Sequence, residues 1–353
     1  MTRPDDRSIE FTAVREAPGD AFPTLVHVDW ATAFPWLVQG TTTRGEGSDL
    51  FDLGLFSGGS PEELVRRNWR LLCRRLGGFR AVHARQVHGA HVTVHGGARV
   101  AALGANDLAT PSATNATEPP NLASPCDGHV TAEPGLLLTV TTADCVPVFL
   151  VDPVKRAIGT VHAGWRGAAA GVLERGLGAL THQSGSRPAD VHVHLGPAIC
   201  GACYEVGPEV FSALEQPEPG DSQPIDLRRI LATRAVAAGV AHDHVSISSH
   251  CTRCTDSGLF SHRGGDAARQ VGYIGIRSEP ESTPSLDPRV GLCSVCRHHR
   301  VTGNRRGSQF HLCELSKVDA RFRRYPPLPI MRCSGFEPAD PDPWSGYSTD
   351  PVE

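Results

Sequence analysis

The stretch LLLTVTTADCVPVFLVDPVKRAIGTVHAGWRG, residues 136–167, carries the strongest structural signal in the sequence. It contains three short apolar runs, at 136–140, 146–151 and 157–161, of the kind found in buried strands. Two polar motifs interrupt these runs: Thr142-Ala-Asp-Cys145 follows the first, and His162-Ala-Gly-Trp-Arg-Gly167 follows the third. We therefore predict buried strands that carry polar, reactive side chains at their ends.

The segments on either side predict a mixed fold. Apolar residues recur with helical spacing over residues 168–180. The fold class is therefore α/β, with a mixed sheet of the α+β kind in which parallel and antiparallel strands coexist. Further helices are predicted at 208–214 and 227–240, and further strands at 191–195, 245–249 and 271–276.

Composition restricts the class of protein. The chain has 353 residues, 40% of them hydrophobic and 20% charged, which is ordinary for a globular protein. A net charge of -4 without a basic tract gives no electrostatic support for nucleic-acid binding. Neither a signal peptide nor an apolar run long enough for a membrane span is visible, so we expect a cytoplasmic protein with reduced thiols.

Breaks in composition suggest how the chain is divided. Residues 278–288 (SEPESTPSLDP) contain three prolines and read as a linker. We expect a flexible tail at 1–20, a catalytic domain at 21–277 with a surface loop at 101–125, the linker at 278–288, a Cys-rich segment at 289–340 and a second tail at 341–353.

Three loops that follow apolar runs offer His88, Cys145 and His162. One sulfur and two nitrogen ligands suit zinc, and three protein ligands leave a fourth position open, as in catalytic zinc sites. Taken singly, each residue is more commonly a core or loop residue than a ligand. Cys145 is alternatively a nucleophile with His162 as its base.

The motifs closely resemble a bacterial and animal family long described as laccase-domain or polyphenol-oxidase-like, and now as purine nucleoside phosphorylase. The resemblance covers about residues 25–277. The motifs that carry it are Thr41-Thr-Thr-Arg44, Arg67-Asn-Trp-Arg70, Gln86-Val-His88-Gly89, Asp127-Gly128, Thr142-Ala-Asp-Cys145-Val-Pro147, His162-Ala-Gly-Trp-Arg-Gly167, Gly196-Pro-Ala-Ile199, Cys203-Tyr-Glu-Val206, Cys251-Thr-Arg-Cys254 and Phe260-Ser261.

This resemblance implies a single α/β domain with zinc in a cleft, held by His88, Cys145 and His162. It implies phosphorolysis of adenosine, guanosine, inosine and 5'-methylthioadenosine, together with deamination of adenosine. The sequence departs from the family where Cys126 replaces a usual alanine, in Phe51-Asp-Leu-Gly54, and in Ser261-His262-Arg263, where a Tyr and an Arg of the family are lost. These departures put the rim of the substrate pocket in question.

Phosphorolysis needs groups that hold phosphate and stabilise the departing purine. Arg44 and Arg166 are candidate phosphate ligands because guanidinium groups match phosphate geometry. Asp127 and Asp144 adjoin the ligand loops and are candidates for acid/base work or for orienting a metal-bound histidine. For deamination, Asp127 is the first candidate as proton shuttle. Asn68 and Gln86, in family motifs, are predicted to bind substrate or phosphate.

The remaining cysteines fall into two sets. Cys200-x-x-Cys203 and Cys251-x-x-Cys254 are compatible with a structural zinc site, but their place in family motifs favours core packing. The C-terminal segment has few apolar residues and is expected to need a metal staple. Zinc in a ribbon-like site is predicted there, with an iron–sulfur centre or plain thiols as alternatives and His298, His299 and His311 as substitute ligands. The predicted ligands are Cys293, Cys296, Cys313 and Cys333.

Other functions stay open at this point. The older family name implies a copper-dependent phenol oxidase, but laccases need several copper centres and one Cys/His₂ site does not supply them. Some bacterial members of the family are described as editing factors for peptidoglycan precursors. A non-enzymatic reading is a binding protein whose C-terminal cysteines recruit a protein partner of unknown identity.

Overall fold

The structure, a computed structural model, describes residues 10–19, 22–45, 50–96, 120–278, 287, 289–303 and 309–337. The chain divides into two compact units, Met1–Ser278 and Glu279–Glu353. Most of the predicted loop at 101–125 and of the linker at 278–288, and all of the tail at 341–353, lie outside the described residues.

The described part of the first unit contains six α-helices and sixteen strands. Its helices are α1 (Val28–Ala33), α2 (Glu62–Arg75), α3 (Trp165–Ala169), α4 (Val172–Ser184), α5 (Pro208–Ala213) and α6 (Leu227–Ala237). Its strands are β1 (Thr12–Val14), β2 (Ala17–Pro18), β3 (Thr24–Val26), β4 (Leu37–Thr42), β5 (Arg80–Ala84), β6 (Val92–His95), β7 (Asn121–Ala123), β8 (Gly128–Thr131), β9 (Leu136–Thr142), β10 (Val146–Asp152), β11 (Ala157–Ala163), β12 (His192–Leu195), β13 (Glu205–Val206), β14 (Gln223–Pro224), β15 (Val245–Ser248) and β16 (Gln270–Ile276).

Two mixed sheets form the centre of this unit. Among the described residues, one has the strand order β1-β15-β12-β10-β11-β8-β6 and the other β2-β3-β4-β16-β9-β5-β7. Both combine antiparallel pairs, such as β10 with β11, and parallel pairs, such as β12 with β15 and β5 with β9. The predicted α/β class with mixed strand directions is confirmed.

The strand β10 has no alternation of apolar and polar residues, because both of its faces are buried. Val148 and Leu150 face the cluster formed with α4 and α6, whereas Phe149 and Val151 face the second sheet and meet residues such as Ile274 of β16. Successive side chains of a strand point to opposite faces. Both faces of β10 are therefore covered, which selects an unbroken apolar run.

The second sheet is covered on its other side by α2. Trp69 and Leu72 of that helix are fully buried and pack against strand residues such as Leu137 and Val271. The first unit is thus layered as helices, sheet, sheet and helix. The three runs quoted first form β9, β10 and β11, each one or two residues longer than predicted.

Two sequence predictions need correction. The helix predicted at 168–180 is split into α3 and α4, because Gly171 takes a left-handed conformation with φ 79° and ends the first helical turns. Part of the predicted N-terminal tail is ordered, since β1 pairs with β15 and the buried Glu16 carboxylate accepts hydrogen bonds from His194 and Ser248. Strands of two or three residues are too short to show a period.

The second unit is small. Its described part contains the hairpin of β17 (His299–Gly303) and β18 (Gln309–Cys313). Val290 and Leu312 are its buried apolar side chains among the residues described. Such a core supplies little stabilisation, in line with the expected metal staple.

No helix formed by the described residues of either unit is both long and apolar enough to cross a bilayer.

Candidate metal centre

Neighbouring strands bring the three predicted ligands together. Cys145 directly precedes β10, and His162 lies in β11, where it pairs with Pro147 of β10. His88 follows β5 in a turn where it adopts a positive φ of 58°. The ligand atoms of His88, Cys145 and His162 all lie within 4.8 Å of one another.

The burial of these residues is graded. His162 is buried, Cys145 is partly buried and His88 is exposed, so the group is rooted in the core and open on one side. One thiolate and two imidazoles with an open side fit a catalytic zinc site. Whether the three residues hold a metal stays a prediction.

Asp127 orients this group. Its fully buried carboxylate accepts hydrogen bonds from the backbone N–H groups of His88 (2.9 Å) and Gly89 (2.8 Å) and contacts His162 Nδ1 at 3.0 Å. Burial acts to raise the pKa of Asp127, but the bonds from His162 and the backbone amides outweigh it and lower that pKa. The bond to Nδ1 fixes the tautomer that leaves Nε2 of His162 available to a metal.

The thiol and imidazole influence each other. Burial acts to raise the pKa of Cys145, but His162 and His88 bring it down to about 6. Burial acts to lower the pKa of His162, but Cys145 and Asp127 raise it to about 9. Without a metal, the pair is therefore a thiolate beside an imidazolium at neutral pH, and a metal ion would replace the imidazolium proton.

Gly164 is required beside the ligands. It is the N-cap of α3, and a Cβ at this position would lie 3.0 Å from Cys145 Sγ and 3.3 Å from His88 Cδ2. The Gly in the His-Ala-Gly-Trp motif is thus explained by the close approach of backbone to the metal centre.

An open cavity of about 520 Å³, a size common for small-molecule sites, lies next to α3, and His88, Cys145 and His162 are not among the residues that line it. It is lined by Trp165, which stands three residues after His162, and by Tyr204. Burial and the charge of Cys145 raise the pKa of Tyr204 to about 12, so its phenol is a protonated donor at neutral pH. Three arginines, Arg166, Arg253 and Arg263, also line the cavity, together with Glu205 and Glu209.

The residues that form this site lie in a part of the chain whose sequence matches a known family. A family described as multi-copper polyphenol oxidoreductase laccase matches residues 39–277. The chain belongs to this family.

Relatives and a solved structure agree with this placement. Purine nucleoside phosphorylase YlmD of Geobacillus stearothermophilus is 32% identical over 270 residues, which cover 70% of this chain and 93% of that protein. The crystal structure of YlmD from Geobacillus stearothermophilus matches with a TM-score of 0.63 at 28% identity, covering 75% of this chain and all of that one. Adenosine deaminase RL5, from an unknown prokaryotic organism, is 35% identical over 149 residues, which are 39% of this chain and 56% of that protein.

Asp144, another motif residue, is a structural anchor in its contacts. Its buried carboxylate accepts hydrogen bonds from Thr252 Oγ1 (2.6 Å), Ser261 Oγ (2.8 Å) and the Arg263 N–H (2.7 Å). Because Asp144 directly precedes Cys145, these bonds hold the altered segment around Arg263 close to the candidate metal ligand Cys145. These bonds favour a positioning role over proton transfer.

Three predicted substrate ligands are engaged elsewhere. Arg44 pairs with Asp266 at 3.1 Å and also donates to the Leu259 carbonyl. The Asn68 amide donates to the carbonyls of Leu50 and Asp52. The Gln86 side chain donates to the Thr141 carbonyl and accepts from the Thr141 N–H and hydroxyl. The contacts of Arg44, Asn68 and Gln86 thus favour roles in holding loops, and substrate binding by them stays a prediction.

Sequence reasoning missed the cavity residues Tyr204 and Arg253. Tyr204 stands in the family motif Cys203-Tyr-Glu-Val206, and Arg253 stands in Cys251-Thr-Arg-Cys254. Arg263 was noted only within a departure from the family, although it lines the cavity and its guanidinium donates to the Glu205 carbonyl. The one available signal was an aromatic or cationic residue beside a motif cysteine.

The C-terminal cysteines lie outside the family match. Cys293, Cys296, Cys313 and Cys333 line one cavity with His298 and His299. Burial and the charges of the other three cysteines raise the pKa of Cys293 to about 11. Within the described residues, no three of the four sulfur atoms lie within 4.8 Å of one another. A zinc-ribbon-like site in this segment stays a prediction.

Proposed function

We propose that this chain is a zinc-dependent purine nucleoside phosphorylase that acts on adenosine, inosine, guanosine and 5'-methylthioadenosine, with adenosine deaminase as a side activity. The observation that carries the proposal is the group of His88, Cys145 and His162, oriented by Asp127. A cavity that contains three arginines begins at Trp165, three residues after His162. The names of the relatives supply the substrate class.

The donor set favours zinc over copper. Copper sites with two histidines and one cysteine commonly add a weak axial methionine. Both methionines of this chain, Met1 and Met331, lie outside residues 39–277, which the family model matches. Zinc needs no such ligand and accepts a solvent or substrate oxygen in the open position.

When bound, zinc would supply Lewis acidity toward a phosphate or water oxygen at the open side of the centre. Asp127 holds His162 in the tautomer that serves as a ligand, and its own lowered pKa keeps it a hydrogen-bond acceptor. In this proposal Asp127 is a positioning residue and does not carry a proton to substrate.

The cavity residues would handle the charges of phosphorolysis. In that reaction phosphate attacks the anomeric carbon and the glycosidic bond breaks, so that negative charge develops on the purine. Arg166 stacks on Trp165 with its guanidinium carbon 4.3 Å from the ring centre, at a position suited to hold phosphate. The protonated phenol of Tyr204 is suited to donate a hydrogen bond to an anionic oxygen or nitrogen.

The proposal is tested by incubating zinc-loaded protein with inosine and with adenosine, with and without phosphate, and separating the products by chromatography. We expect ribose 1-phosphate and free base only when phosphate is present, and loss of this turnover in Cys145→Ala. Cys126→Ala is the matched control, because it removes a buried thiol where the family usually has alanine.

Each other outcome has a definite meaning. Conversion of adenosine to inosine without phosphate would make deamination the main activity, as the name of the relative RL5 suggests for that protein. Absence of any nucleoside turnover by zinc-loaded protein would overturn the proposal and favour the peptidoglycan-precursor reading.

A further inference from the structure

Four cysteines of the first unit meet on two adjacent loops. Cys200 and Cys203 lie in the loop that follows β12, and Cys251 and Cys254 lie in the loop that follows β15. Since β12 and β15 are neighbouring parallel strands, both loops begin at the same end of the sheet, where the C-terminal ends of the two strands lie side by side. All four sulfur atoms lie within 4.8 Å of one another.

We propose that Cys200, Cys203, Cys251 and Cys254 form a structural zinc site separate from the centre at His88, Cys145 and His162. The proposal is independent of the proposed reaction. It replaces the core packing that the sequence favoured for these residues.

Burial argues against core packing. Cys251 is buried, but Cys200 and Cys203 are only partly buried and Cys254 is exposed. Cysteines that serve as small apolar core residues are among the most buried side chains in proteins. Packing in a core therefore does not explain why these three thiols are gathered near the surface.

The sulfur spacing fits a metal better than a disulfide. The sulfurs of Cys200 and Cys254 are 3.7 Å apart. A disulfide would require about 2.05 Å. Four sulfurs placed tetrahedrally at about 2.3 Å from one zinc ion are separated by about 3.8 Å along each edge. The observed distance matches that edge.

The local backbone supports thiolate ligands. Cys251 Sγ accepts hydrogen bonds from the N–H groups of Cys200 (3.2 Å) and Arg253 (3.4 Å). Bonds of this kind stabilise negative charge on sulfur and fix the direction of a ligand. Two Cys-x-x-Cys pairs are also the spacing of four-cysteine zinc sites, whereas the C-terminal segment has one such pair.

The site would fasten the wall of the cavity to the metal centre. Thr252, between two of the cysteines, donates to the Asp144 carboxylate, and the Ile199 N–H donates to the Asp144 carbonyl. The guanidinium of Arg253 donates to the Cys203 carbonyl, and both residues line the cavity. A closed four-cysteine site would hold both loops against the residue that precedes Cys145.

Metal analysis of full-length protein is the first test. We expect Cys200→Ser/Cys254→Ser to contain one zinc equivalent less than the wild-type chain, whatever the total. The matched control Cys73→Ser, which alters a cysteine of α2 outside both groups, should keep the wild-type content. An unchanged zinc content in the double variant would overturn the proposal.

A second measurement needs no variant and therefore does not depend on its folding. Crystals of the zinc-loaded wild-type chain are measured on both sides of the zinc absorption edge. We expect an anomalous peak about 2.3 Å from all four sulfurs. Absence of that peak, or density joining two of the sulfurs as a disulfide, would overturn the proposal even if nucleoside turnover is present.

Discussion

At the scale of single residues, Asp127 decides how His162 is presented to a metal. Asp127→Asn removes the charge that holds the Nδ1 proton, so we expect zinc affinity to fall by about tenfold to hundredfold. Competition with a chromophoric chelator measures this affinity. Asp152→Asn is the control, because it alters a buried carboxylate that caps the turn between β10 and β11. Lost turnover with unchanged zinc affinity would instead make Asp127 a proton carrier.

The pKa values of the ligand pair predict how zinc binding depends on pH. Between about pH 6 and pH 9, Cys145 is already a thiolate while His162 still carries a proton that zinc must displace. Zinc affinity should therefore rise about tenfold per pH unit over this interval and level off above pH 9. Parallel titrations of the wild-type chain and Cys145→Ala isolate the centre. An affinity that does not change from pH 6.5 to pH 8.5 would contradict the ion pair.

The sequence predicts which residues come together better than it predicts the contacts that each of them makes. His88, Cys145 and His162 were predicted together, and the structure brings their ligand atoms together. The sequence does not show which hydrogen bonds a polar side chain makes. Asn68 and Gln86 are predicted to bind substrate because they stand in family motifs. In the structure their side-chain amides bond to backbone groups, and substrate binding by them stays a prediction.

At the scale of elements, the start of α3 should tolerate no side chain beyond glycine. In Gly164→Ala the new Cβ would press on Cys145 Sγ and His88, so we expect weaker zinc binding and lower turnover. Gly178→Ala is the control, since it adds a methyl group within α4 with no atom within 4 Å. That change should raise stability by about 0.5–1 kcal/mol. Thermal unfolding and zinc affinity of both variants check this pair, and equal zinc affinities would refute the steric argument.

Buried strands were the most predictable elements. The strands β9, β10 and β11 can be predicted from the sequence because each is buried on both of its faces, which selects a largely apolar run of residues. The break between α3 and α4 was missed because glycine is tolerated inside helices, and its left-handed conformation is set by the packing around it. The strands β1 and β2 could not be predicted because they are held in place by contacts with residues far along the chain. The Glu16 carboxylate, for example, bonds to His194 and Ser248.

At the scale of the whole molecule, distant segments converge on the cavity proposed to hold phosphate. Arg166 lies in α3, Arg253 and Arg263 lie in two separate loops, and all three line the same cavity. We expect Arg166→Ala to raise the KM for phosphate by about tenfold to hundredfold, the range for a hydrogen bond to a charged group. The KM for inosine should change little. Arg187→Ala is the control, because the Arg187 side chain is exposed and forms an ion pair with Asp190 outside the cavity. An increase confined to the KM for inosine would place phosphate elsewhere.

In the proposed enzyme, nucleoside phosphorolysis depends on zinc held by His88, Cys145 and His162. The most direct test follows ribose 1-phosphate formation from inosine and phosphate by zinc-depleted protein as zinc is restored. We predict that turnover is absent without the metal and returns with zinc in the wild-type chain and in Cys126→Ala, but not in Cys145→Ala. Full turnover by the depleted chain, or restored turnover in Cys145→Ala, would contradict the claim.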